Sequence, residues 1–145
     1  MGGGVRFLSA LIDSADEVVQ ASDLVQSFII AASDETSNLT TGNNKVRIRM
    51  PYSFTLTAVR ASVNTAPTGS TISIQITEGG SDILSTPITI DISELSSVSA
   101  ATAPVISDSS LADDSIIGID CDQIGSTNAG TGLKVTLIGY KTTVG

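Results

Sequence analysis

Histidine and tryptophan are absent from this chain, cysteine occurs once, and seven basic side chains stand against fifteen acidic ones. Each shortage excludes something. Without histidine there can be no Ser-His-Asp or Cys-His arrangement and no His-ligated zinc. A single cysteine, Cys121, rules out an internal disulfide. The formal charge of −8 argues against nucleic acid, whose binders need a basic field to displace counterions. The same charge is repelled by an anionic membrane surface. No apolar run approaches the roughly 20 residues that span a bilayer. The start, Met1 to Phe7, lacks a basic stretch followed by a long apolar one, so no signal peptide is expected and the Asn38-Leu39-Thr40 sequon should stay unmodified.

Only Phe7, Phe28, Tyr52, Phe54 and Tyr140 are aromatic, although 41% of the 145 residues are hydrophobic. The core must therefore be built from Ile, Val, Leu and Ala, with Ser, Thr and Gly around it. That mixture suits strands and turns better than helices. The length fits one domain, large enough for a core without disulfide or metal.

The apolar period is two over most of the chain. Residues 24–32 read as a strand, and 33–44 as a polar loop. Val46, Ile48 and Met50 alternate with Lys45, Arg47 and Arg49, and Pro51 ends the run. In the next strand Phe54, Leu56 and Ala58 share one face while Val59, Ala61 and Val63 share the other. A β-bulge near Ala58, or a strand passing between sheets, would reconcile them. Ala66-Pro67-Thr68-Gly69 reads as a type I turn. Ile72, Ile74 and Ile76 point inward, with Ser73, Gln75 and Thr77 outward. Gly79-Gly80 is a two-residue hairpin signal leading into residues 82–85. Pro87 precedes alternating Ile88, Ile90 and Ile92, and residues 93–114 are loop with a short apolar piece at Val105-Ile106. Ile117, Ile119 and Cys121 make another inward face, and Leu133, Val135 and Leu137 the last. About eight short strands with turns between them predict an all-β fold, an antiparallel β-sandwich or jelly roll.

The division expected is an N-terminal arm or short helix over residues 1–23 and a β-sandwich domain over residues 24–145. Ser14-Ala15-Asp16-Glu17 has capping-box spacing, yet residues 5–12 suit an extended arm equally well. The arm's apolar residues Phe7, Leu8, Leu11, Ile12, Val18 and Val19 lie ahead of a sandwich already filled by isoleucine rows. They are expected, together with Arg47 and Arg49, to form an assembly interface, because a monomer would leave them as an exposed apolar patch.

No catalytic, cofactor-binding or metal-binding residue emerges. Cys121 falls in phase with Ile117 and Ile119, and Asp120 and Asp122 beside it would raise its pKa, so it reads as a small buried hydrophobe. Asp108, Asp113, Asp114, Asp120 and Asp122 invite calcium, but they occupy turn and outward positions and read as a solvated acidic rim. Lys45, Arg47 and Arg49 form a basic stripe. It suits either an acidic partner or an edge strand whose charges keep it from pairing with a neighbour. Two tyrosines are a poor supply of platforms for sugar rings.

Two stretches resemble small structural proteins and fibre domains of tailed bacteriophages. One runs from residues 50–64 (MPYSFTLTAVRASVN) through Pro67-Thr68-Gly69-Ser70 to residues 83–86 (ILST). The other joins residues 106–115 (ISDSSLADDS) to residues 132–139 (GLKVTLIG). The resemblance covers roughly residues 46–141. It implies a non-enzymatic virion protein made in the host cytoplasm, most readily a capsid decoration or cement protein, with a tail or head fibre subunit as the alternative. It implies a homo-oligomer, preferentially a trimer by analogy with the threefold sites of shells, bound to the major capsid protein or another virion protein. No site residue is carried over from it.

Overall fold

A computed structural model describes residues 24–142, and the expected arm lies outside them. Among the described residues eleven strands form in order: β1 (Gln26–Ala31), β2 (Gly42–Arg49), β3 (Phe54–Ser62), β4 (Ile72–Glu78), β5 (Ser81–Asp82), β6 (Leu84–Thr86), β7 (Ile88–Ile90), β8 (Val105–Ile106), β9 (Ser110–Leu111), β10 (Ile116–Gln123) and β11 (Lys134–Lys141). One sheet has the order β1-β11-β3-β9. The other runs β2-β10-β4-β5, with β7 also on β4, and β6 pairs with β8. Every pairing is antiparallel.

The chain alternates between the sheets, and the last long strands insert between the first ones. In one sheet β11 lies between β1 and β3, and in the other β10 lies between β2 and β4. This is the interleaved double Greek key of a jelly roll. The all-β, antiparallel sandwich is therefore the fold. Its core is aliphatic, as the composition requires. Ile72, Ile74, Ile76, Ile88, Ile90, Ile117 and Ile119 come from one sheet, and Phe54, Leu56, Val59, Ala61, Val135 and Leu137 from the other.

The phase conflict in β3 resolves as a bulge. Ile138 pairs with Ala58 and Gly139 with Leu56, so Thr57 is the extra residue. Phe54, Leu56, Val59 and Ala61 are all buried as a result. The Gly79-Gly80 turn also forms, with φ of 58° and 88° joining Glu78 to its partner Ser81. Positive φ at both central residues favours glycine there.

Several expectations fail for identifiable reasons. Residues 66–69 make no type I turn; Thr68 instead pairs with Asn128 as an isolated extended bridge. Residues 42–44 belong to β2, and Leu39 of the polar loop is buried. Ile92 is exposed because β7 stops at Ile90. Gln75 and Thr77, read as outward, are buried.

Gln75 is buried because the strand beside β4 leaves and returns. Asp82 pairs with Thr77, but the next partner of β4 is Ile88 with Ile74. Between them β6 departs to pair with β8. The Gln75 side chain fills the gap: its Nε2 donates to the Leu84 carbonyl at 3.0 Å, and its Oε1 accepts from Leu84 N at 3.2 Å and Ile76 N at 3.0 Å. An amide side chain thus replaces the missing ladder. Buried backbone groups need such partners.

Candidate interaction surfaces

β2 is an edge strand of its sheet, with β10 as its neighbour. Its outward positions carry the basic stripe. Arg47 and Arg49 are exposed, and Lys45 is half-buried with its Nζ donating to Thr40 Oγ1. Arg49 forms an ion pair with Asp114 at 3.3 Å, both side chains largely in solvent. A pair that exposed contributes little. Arg47 lines up across the sheet with Gly118, Thr77 and Asp82.

Beside Arg47 runs a shallow groove of about 280 Å³ lined by Asn44, Arg47, Thr77, Gly79, Gly80 and Ile116. Gly118 makes room for it, since a Cβ there would collide with Asn44 Oδ1 and Thr77 Oγ1. Asn44 adopts a left-handed φ of 52° within an irregularity of β2, where the register slips between Ile119 and Cys121. Its backbone N–H donates to Asp120 Oδ1 at 2.7 Å. Asp120 was expected to point into solvent; it is only 9% exposed, because the bulged end of β2 folds over it.

The remaining carboxylates do separate jobs. Asp108 accepts from Ser110 N, Asp114 meets Arg49, and Asp113 is exposed. Asp122 is exposed, and its pKa is raised by partial desolvation and then by neighbouring Asp120 and Asp82. Among the described residues no three Asp, Glu or Cys side chains converge to hold a metal ion. Cys121 is buried, as its phase implied. Burial pushes its thiol up, Asp122 adds to that, and Lys45 works against it.

Of the expected interface, the structure places Arg47 and Arg49 side by side on one edge. Phe7, Leu8, Leu11, Ile12, Val18 and Val19 lie outside the described residues. The sequence reading missed a second surface. Among the described residues β1 is also an edge strand, and Leu24, Val25 and Ile29 are half-exposed or more, Ile29 at 71%. Residues 28–32 are apolar on both faces, so periodicity alone does not reveal an edge there. No family model, no curated protein and no solved structure matches the chain.

Proposed function

We propose that this chain is a non-enzymatic virion structural protein of a tailed bacteriophage, a capsid decoration protein that reinforces the shell. The observation that carries this reading is the Arg47 and Arg49 pair on one strand edge of an otherwise acidic jelly roll. That stripe gives the body a face on which it can meet an acidic surface, while its net negative charge opposes such a meeting elsewhere. The fold adds analogy, since jelly rolls serve viral capsids and lectins, though a fold alone does not fix a function. The partner is the major capsid protein or another virion protein, and copies of the chain associate with one another. Neither nucleic acid nor membrane is a partner in this reading, and no cofactor is used.

Reversing the charge with Arg47→Glu and Arg49→Glu should abolish binding to particles stripped of the protein, with the circular dichroism spectrum unchanged. Electron microscopy of intact particles should find the protein on the shell. Undiminished binding by the double variant would overturn the reading. The groove of Asn44, Thr77 and Arg47 favours the second reading, a fibre subunit that meets a polar host receptor. Density at a tail or head fibre rather than over capsomers would select it.

A further inference from the structure

Among the described residues the two main sheets of the jelly roll have four edges, and three are blunted. β2 carries Lys45, Arg47 and Arg49 and an irregular register. β9 is two residues long. The strand beside β4 is broken between β5 and β7, with Pro87 in the break. Short strands, charges, bulges and prolines are the usual means of stopping strands from adding to an edge. β1 has none of them. It is six residues long, pairs with β11 in unbroken register, and lies within residues 24–33, which contain no charged side chain and no proline.

The backbone groups that β1 leaves unpaired among the described residues can be identified. Ala32 N donates to the Leu133 carbonyl at 2.9 Å, so in antiparallel alternation Ile30, Phe28 and Gln26 also bond to β11. Val25, Ser27, Ile29 and Ala31 then turn their N–H and C=O groups away from the sheet. These same four side chains are exposed, with Val25 at 65%.

We propose that β1 is a self-association edge, pairing antiparallel with β1 of a second copy about a twofold axis at Ser27. The charge pattern selects the occupant. A chain of −8 repels its own copies over most of its surface, whereas residues 24–33 let two copies meet with no like charges opposed. The register is self-complementary: Ser27 faces Ser27, and Val25 faces Ile29 twice, removing both exposed apolar pairs from water. Two four-stranded sheets become one continuous sheet. The threefold preference came from the resemblance alone; this edge closes at two copies. The pairing does not depend on the virion reading, and its test uses no particles.

Sedimentation of the full chain at rising concentration should show a monomer–dimer equilibrium. Ile29→Lys should weaken it at least about tenfold, by placing an unpaired charge in the contact, while leaving the melting temperature nearly unchanged. Ser27→Cys should form an intermolecular disulfide under mild oxidation, since directly paired residues stand about 5.5 Å apart; Ser62→Cys serves as the control. A chain that stays monomeric, one that sediments as a trimer, or a dimer indifferent to Ile29→Lys would each overturn the proposal. If residues 1–23 of the same chain cover β1, the protein stays monomeric and Ile29→Lys lowers its melting temperature. A dimer sensitive to Ile29→Lys that fails to cross-link through Ser27→Cys would overturn the Ser27 register.

Discussion

β1 and β2 stand at the ends of the two sheets, consecutive in sequence and in equivalent places in the fold, yet they are built on opposite plans. Both turn alternate side chains outward. On β2 those are Lys45, Arg47 and Arg49, and its first residues are bulged around Asn44. On β1 they are Ser27, Ile29 and Ala31, with Val25 just before them, in a straight register. An edge that must not take on another strand is made expensive to pair: each added strand would have to desolvate cations and fit an irregular ladder. An unprotected edge carries the opposite signature. The difference between them is a statement about what each edge meets.

The largest effect expected concerns a third edge, the broken strand beside β4. Gln75→Leu keeps the volume but removes the amide that satisfies Leu84 and Ile76. Leaving those buried groups unpaired should cost about 2–4 kcal/mol in urea unfolding. A loss below about 1 kcal/mol would mean that the detour through β6 finds other partners, and that this edge is protected by something else.

The bulge that guards β2 can be tested in the same way. Asp120→Ala removes the acceptor for Asn44 N–H and should cost about 1–2 kcal/mol. Asp120→Asn keeps an acceptor oxygen and should lose less than half of that. Equal losses from the two variants would show that the carboxylate's charge, not its hydrogen bond, holds the end of β2.

How far the sequence reveals this contrast depends on the physics of each element. The jelly roll follows from period-two patterning and turn chemistry, which are local. The bulge at Thr57 is legible as one of two ways, the other being a strand that passes between sheets, to bury Phe54, Leu56, Val59 and Ala61 together; the choice between them is non-local. The basic stripe on β2 likewise announces an edge by its charges. The departure of β6 and the bonds made by Gln75 are not legible, because they depend on which strand lies beside β4. Asp120 misleads for a related reason: alternation puts it outside, and only the non-local fold of β2 over it makes that outside buried. Ile92 continues a pattern that the backbone abandons at Ile90. The exposure of β1 leaves no local mark, since Ile29 has the same composition around it as a residue in the middle of a sheet.

Removing the guard from β2 should sharpen the comparison. Arg47→Ser with Arg49→Ser takes away exposed side chains and should change stability by no more than about 0.5 kcal/mol. It should nonetheless raise the tendency of the protein to self-associate, measured by light scattering at salt high enough to screen the added net negative charge. Combined with Ile29→Lys, the two edges would exchange characters, and association should move from β1 to β2. Unchanged scattering in the Arg47 and Arg49 double variant would mean that the bulge alone is sufficient protection.

The smallest effect expected lies in the connection between the two strands. Glu35, in the loop from β1 to β2, is tied to Lys134 at the start of β11 and to the Asn64 side-chain amide at 2.8 Å. The hydrogen bond from Lys134, then that from Asn64, holds its pKa below the ordinary glutamate value. Asp34 beside it is lowered by the backbone N–H groups of Ser37 and Thr36. A carboxylate whose pKa is depressed by folding stabilises the fold above its unfolded value, and that contribution is lost as the pH falls through the folded one. The tie is therefore present at neutral pH and is lost as the pH falls through the lowered folded value. Both groups are exposed, so screening keeps the gain slight. Glu35→Gln should lower the melting temperature a little at pH 7 in low salt, and by progressively less as the pH is lowered to 3. A difference that persists undiminished at pH 3 would show that the loop is held by packing rather than by this charge, and that the path from the open edge to the guarded one does not depend on it.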